Sequence, residues 1–285
     1  MKKHSVKRII SNLMVLISIG LLCYPAVAHI NNAYHATQVI SGYIEATDSI
    51  TDEEYLVLME QAREFNHYLT LTPAPHFLND EEMEWYESLM DLAGTGVMGS
   101  LSIPKINVQL PIYHGTSDSV LQVGVGHVAG TSLPVASESS HVVVSGHRGL
   151  STAALFTDLP QLEIGDTFQV TALREVLTYE IDQFETVLPE EVDYIAIEPG
   201  MEYCTLVTCT PLGINSHRLL VRGHRIETPE GVEPTPVMTN PIRDVVQGKV
   251  LATYEVVLAA IALILFIVKF ILPRILSARR KKAGK

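Results

Sequence analysis

Hydrophobic and polar positions follow three different patterns along the chain. Residues 9–28, IISNLMVLISIGLLCYPAVA, carry no charge, and a helix of that length reaches roughly the 30 Å of a bilayer core. A second apolar run, Val256 to Leu272, is broken only by Lys269, close enough to the end to snorkel. Between these runs, Asp52 to Leu69 and Asp80 to Leu92 read as two helices, rich in helix formers and acidic in their first turns. They are separated by TLTPAPHFLND, whose prolines break both neighbours. From Val97 onward the period shortens. Runs such as VMGSLSI, INVQLPIY, HVVVSGH, TFQVTAL, EVLTYEIDQFETVL, YCTLVTC and RLLVRGHRI alternate with Gly, Pro, Ser and Asp turns. Seven or eight such strands in about 130 residues predict a closed antiparallel barrel or a sandwich, with short helices at Asp118 to Val123 and Ser151 to Leu159.

These textures divide the chain into a membrane anchor or signal segment at 1–30, a helical extension at 31–96 and a β domain at 97–228. A proline-rich tether at 229–249, a second membrane helix at 250–273 and a basic tail at 274–285 follow. Lys2, Lys3, Lys7 and Arg8 precede the first apolar run, and Arg274, Arg279, Arg280, Lys281, Lys282 and Lys285 follow the second. The positive-inside rule therefore puts both termini in the cytoplasm and the middle of the chain outside the plasma membrane. The small-residue pattern Ala26-Val27-Ala28 leaves cleavage as a signal peptide open.

Charge narrows the partners. Residues 31–255 hold 9 basic against 32 acidic residues, a net of -23. Such a surface repels nucleic acid and anionic headgroups and argues against a polyanionic substrate. Of three cysteines, only Cys204 and Cys209 lie in the β domain, five apart, so on one strand their side chains point to opposite faces and cannot join. No CxxC occurs, and a zinc site would have to borrow scattered histidines, so neither a structural metal nor a cofactor is expected.

The remaining chemistry centres on TLVTCTPLGINSHRLLVRGHRI, Thr205 to Ile226. A hairpin with TPLGINSH as its long loop brings Cys209, at the end of one strand, beside Arg218, at the start of the next. A thiol is only a few per cent ionised at neutral pH, so nucleophilic chemistry needs a proton partner. Among eleven histidines, His147 ends the strand-like run HVVVSG at what would be a barrel mouth. His127, His141, His217 and His224 remain alternatives, and so does a plain structural role for every one of them.

The same stretch, with VVVSGHRGL and MGSLSIPKINVQLPIYHGTSDSVLQVGVGHVAGTSLP, resembles the sortases, membrane-anchored cysteine transpeptidases, and among them the pilus-assembling class C members. The resemblance runs from about Val97 to Ile226. It implies a mainly β fold, a closed eight-stranded barrel with an N-terminal helical extension. It also implies Cys209 as nucleophile, His147 as general acid and base, and Arg218 as the group that stabilises the oxyanion or holds the substrate. The implied partners are the LPXTG-like sorting signals of pilins or surface proteins and an amine, a pilin lysine or a cell-wall cross-bridge, with hydrolysis as a side reaction. Class C members usually carry an Asp-Pro-aromatic lid before the barrel, whereas this chain has no Asp-Pro dipeptide. His76 and Phe77, in the segment of about 73–80, are the lid candidates, set against a plain interhelical connector. Two rivals remain: an L,D-transpeptidase-like thiol enzyme, whose Ser-x-Gly-Cys context is absent, and a non-catalytic membrane-anchored scaffold.

Overall fold

The computed structural model describes residues 2–72, 76–92 and 94–229. The chain divides into two units, one of residues 1–30 with 240–285 and one of residues 31–239. Helix α1 (Lys2–Ser49) carries the first apolar run and is long and apolar enough to cross a membrane. It is also longer than the sequence pattern predicts, because the stretch to Ser49 has a face to bury: Ala36, Ile40, Tyr43 and Thr47 are buried. The second predicted span, the basic tail and the tether beyond Pro229 lie outside the described residues.

Helices α2 (Asp52–Thr70) and α3 (Asp80–Ser88) begin on capping boxes, Thr51 with Glu54 and Asn79 with Glu82, which satisfy otherwise orphaned N–H groups. Helix α3 stops four residues short of Leu92. Leu89 turns extended and Met90 adopts a φ of 61°, and both side chains enter the core.

The strands are β1 (Val97–Ile103), β2 (Val108–His114), β3 (Val125–His127), β4 (Ser140–Ser145), β5 (Thr167–Ala172), β6 (Glu175–Val187), β7 (Glu202–Thr210) and β8 (His217–Ile226). They close in the order β1-β2-β3-β4-β7-β8-β6-β5. The barrel is mixed, which corrects the antiparallel expectation: β2 pairs with β3, and β4 with β7, in parallel. Parallel neighbours need crossovers rather than tight turns, and the β5–β6 hairpin lies within the β4-to-β7 connection. Strand β3 has three residues, too few to show a period.

Of the two short helices expected, α4 (Asp118–Leu121) forms, but Ser151 to Leu159 is not helical. That segment instead packs Ala153, Leu155 and Phe156 inward, with only a 3-10 turn at Leu159–Gln161. The Phe156 N–H donates to the His147 carbonyl at 3.1 Å. A Cβ at Gly146 would stand 2.7 Å from the Phe156 ring, so glycine is needed for this close approach.

Buried polar groups tie the helices to the barrel. The Tyr43 hydroxyl donates to Met98 O and accepts from Leu173 N–H, each at 2.8 Å. Asn66 of α2 bonds both the carbonyl (3.0 Å) and the N–H (2.7 Å) of Leu133. His127 is fully buried. Its Nε2 faces Ser132 O at 2.8 Å and must donate there, so Nδ1 accepts from the Tyr86 hydroxyl at 3.0 Å. Burial pushes this imidazole down to about 4, and His141 likewise. Both are neutral in the folded state. The unfolded chain takes up protons first as pH falls, so this stability is fully present above about 6.5 and is lost on the way down to about 4. Urea unfolding between pH 4.5 and 7 should show that acid slope, at most about 1.4 kcal/mol per pH unit for each group. His127→Gln should flatten it by about one group's share, and an unchanged slope would show that His127 is not the source.

Candidate active site

The alternation along β7 sorts its side chains. Cys204 and Leu206 lie in the core cluster, whereas Tyr203, Thr205, Val207 and Cys209 have the opposite parity and take the outer face. The two cysteines are thus on opposite faces and both are free. Cys204 is fully buried, which pushes its thiol well up and leaves it inert, while Cys209 is half-buried at the strand's end.

Two neighbouring chains meet Cys209 at this rim. On one side the β7–β8 ladder pairs Cys209 with Arg218. On the other, the parallel ladder of β4 and β7 ends at Ser145 and Val207. Beyond the ladder the Gly146 N–H donates to Val207 O at 3.0 Å and the Thr208 hydroxyl to Gly146 O at 2.8 Å. Further on, Arg148 Nη1 donates to Thr210 Oγ1 at 3.3 Å, across the same separation of 62 residues as Thr208 and Gly146. His147 and Cys209 stand between those two bonded pairs and are therefore level on adjacent chains. Cys209, Arg218 and the segment that carries His147 thus lie at one rim, where β7, β8 and the chain beyond β4 meet.

Arg218 Nη1 donates to Asn215 O (3.3 Å) and His217 O (3.2 Å), and among the described residues no carboxylate pairs with it. The same is true of Arg148, whose Nε is buried without a partner. The other candidate histidines are placed differently. His127 and His141 are buried and have both ring nitrogens engaged by hydrogen-bond partners. His224 pairs with Tyr203, six positions along β7 from Cys209, and lies 3.8 Å from Asp182. His217 pairs with Thr210, next to Cys209, with Nδ1 2.9 Å from Ser216 Oγ.

His76 and Phe77 border a separate cavity. They line this space of about 480 Å³ together with the end of α2, residues 128–131 and residues 192–199, and none of Cys209, His147 or Arg218 borders it. His76 packs edge-on to Tyr68 and lies 3.4 Å from Glu82, and the Phe77 side chain is 82 % exposed. Pro73 to Pro75 lie outside the described residues. Among the described residues, no group of three or more His, Cys, Asp and Glu side chains is arranged to hold a metal ion. Arg148 and Thr210 also meet at the Cys209 rim, and in the sequence only their adjacency to His147 and Cys209 marks them.

Cys204→Ala should lower stability by about 1 kcal/mol, since it empties a packed position, and leave Cys209 alkylation by iodoacetamide unchanged. Cys209→Ala should abolish the labelling and spare the melting temperature. Phe77→Ala should label at the wild-type rate within twofold; faster labelling would mean that this ring shields the thiol.

A sortase-domain family model matches residues 101–226. Sortase C1 from Streptococcus agalactiae is 42% identical, with a TM-score of 0.66, over 67% of this chain and 100% of that one. Clostridium perfringens sortase C, solved with a C-terminal cell wall sorting motif, is 40% identical over 68% of this chain and 100% of that one, with a TM-score of 0.60. Bacillus subtilis (strain 168) sortase D is 34% identical over 131 residues, 45% of this chain. The matches span 63% of sortase D and 47% of the Streptococcus agalactiae sortase A. With the closed barrel and its rim, these likenesses establish that the chain belongs to the sortase family, with class C sortases among its structural neighbours.

Proposed function

We propose that this chain is a membrane-anchored cysteine transpeptidase that cleaves an LPXTG-like sorting signal between Thr and Gly and joins the new carboxyl end to an amine, a pilin lysine in pilus assembly. The observation that supports the reading is the ladder that pairs Cys209 with Arg218, with the segment carrying His147 bonded along the other edge of β7. The Cys209 thiolate attacks the Thr carbonyl carbon, and the carbonyl oxygen takes the negative charge. Arg218 offers a permanent charge and a planar fork of donors to that oxygen. A donor of this kind is typically worth about 3 to 4 kcal/mol of barrier. His147 protonates the departing glycine nitrogen, because an amide anion is too poor a leaving group, and the C–N bond breaks to leave a thioester. An incoming lysine must attack as the free amine, so His147 then takes the proton it sheds, and collapse of the second tetrahedral intermediate releases the Cys209 thiolate. Water entering instead of the amine gives hydrolysis.

Two further likenesses support the pilin assignment. One structural neighbour is a sortase C described with a cell wall sorting motif, and another, from Streptococcus pneumoniae, is described in terms of pilin substrate specificity. The apolar stretch of α1 and the basic flank before it suit an anchor with its N-terminus in the cytoplasm and the barrel outside.

The test uses the full chain in detergent micelles, a fluorogenic Leu-Pro-Glu-Thr-Gly peptide, and either a lysine-bearing pilin peptide or an oligoglycine amine as acceptor. Mass spectrometry should find the acyl group on Cys209, and product should form faster with the lysine acceptor. Faster transfer to oligoglycine would assign the chain to cell-wall anchoring instead. Arg218→Lys keeps the charge but loses the fork, so kcat should fall tenfold or more, and His147→Ala should be at least as damaging. Wild-type rates in either variant would remove that residue from the mechanism.

A further inference from the structure

We propose that His141 is a positioning residue for substrate binding: it pins the connection between β6 and β7 onto the outer face of the barrel, the face of β7 that also carries Cys209, where the connection would wall the path of a bound substrate. The inference rests on the transpeptidase reading and adds a residue to it. The connection, residues 188–201, has only a 3-10 turn at Asp193–Ile195, and apart from the bond from Ser140 N–H to Met201 O at its end it is tied to the barrel by side chains. His141 supplies the central tie. Its Nδ1 lies 2.9 Å from Ala196 O, and its Nε2 2.7 Å from Thr205 Oγ1. A carbonyl can only accept, so Nδ1 carries the proton and Nε2 accepts from the Thr205 hydroxyl. One buried ring thereby joins β4, β7 and the connection.

The surrounding contacts hold the same stretch. Gly200 N–H donates to Ser139 Oγ at 2.9 Å. Arg222 makes a two-pronged pair with Asp182, both bonds 3.0 Å, lies over the Tyr203 ring at 4.1 Å and stands 3.9 Å from Glu198. Arg222, Glu198 and Asp182 are also the charged groups that act on His141. The imidazole nevertheless stays neutral near pH 7, because burial outweighs them and sets it at about 4.

Thr205 shares its face of β7 with Val207 and Cys209, four residues and about 13 Å along the strand from the thiol. On the same face Tyr194 of the connection borders a small depression with Thr205, Leu220 and Arg222. Four extended substrate residues span about the same 13 Å. Four is the number that an LPXTG signal keeps on the enzyme as its thioester, so the pinned wall runs along the part of the substrate held through both half-reactions. A loose connection would weaken binding and leave the chemistry at Cys209 intact.

The test again uses the full chain in micelles, the fluorogenic Leu-Pro-Glu-Thr-Gly peptide, and anisotropy binding of that peptide in a Cys209→Ala background. His141→Phe keeps a ring without either hydrogen bond, and Thr205→Val removes the hydroxyl at constant shape. KM and Kd should rise about tenfold in His141→Phe and about threefold in Thr205→Val, with kcat and the iodoacetamide labelling rate of Cys209 within twofold of wild type. His141→Asn, which retains a donor near the Nδ1 position, should recover most of the loss. Unchanged KM and Kd in Thr205→Val would overturn the proposal even if His141→Phe failed to fold. So would a fall in kcat and labelling with KM unchanged, which would place His141 in the chemistry or in general stability. A wild type that forms no thioester would instead remove the transpeptidase reading beneath it.

Discussion

Strand β7 is the member on which the rest depends, because it is hydrogen-bonded on both edges by chains running in different directions. It lies parallel to β4 and antiparallel to β8, and these two ladders decide which residues reach the rim together. A side-chain period of two makes the arrangement intolerant of slippage. Shifting β7 by one residue would send Cys209 inward and expose Cys204, Leu206 and Thr208. The core therefore enforces the geometry of the rim: Leu206 and Cys204 pack among Val142, Val144 and Val221, and that packing fixes the register that sets Cys209 level with His147 and Arg218. Gly223 opposite Cys204 adds to the constraint, since a Cβ there would stand 2.8 Å from the Phe168 ring.

Around this strand the fold uses buried polar side chains where strands cannot reach. Tyr43, Asn66, His127 and His141 each join segments far apart in sequence, and each has a fixed complement of donors and acceptors. An apolar side chain in such a place would bury area and set no orientation, whereas an unpaired hydrogen-bonding group there costs about 1 to 3 kcal/mol. Each tie thus selects one docking geometry against its neighbours. The two buried imidazoles do this as neutral groups, which makes the docking of α3 and of the β6–β7 connection sensitive to acid.

Much of the barrel was legible because its strands alternate. VMGSLSI coincides with β1, and EVLTYEIDQFETVL covers β6. The odd spacing of Cys204 and Cys209 told their faces apart, and the hairpin reading brought Cys209 and Arg218 opposite one another in the ladder. What escaped was set by tertiary contact. Three residues of β3 carry no period, and parallel pairing leaves no local mark because the partner is a crossover away. At Ser151 to Leu159 the composition favours a helix, but Phe156 is drawn to Gly146 and the His147 carbonyl. His141 looked like one of several interchangeable histidines because its partners, Ala196 and Thr205, lie 55 and 64 residues away.

The distribution of charge separates the rim from the remainder of the molecule. Across 31–255 acids outnumber bases by 32 to 9, and Arg63, Lys105, Arg174 and Arg222 are each paired with carboxylates. Such a background raises the cost of any new anion, whether a thiolate or the oxygen of a tetrahedral intermediate. Arg148 and Arg218 meet no carboxylate among the described residues and flank Cys209 through its neighbour Thr210 and through its own cross-strand pairing. At physiological ionic strength the Debye length is about 8 Å, so distant acids are largely screened while guanidiniums at the rim are not. Local cations can therefore outweigh a global charge of the opposite sign. On the proposed mechanism the lack of a carboxylate partner matters: a carboxylate bound to either arginine would occupy the donors that the developing oxyanion needs, and would put a negative charge where the reaction has to create one.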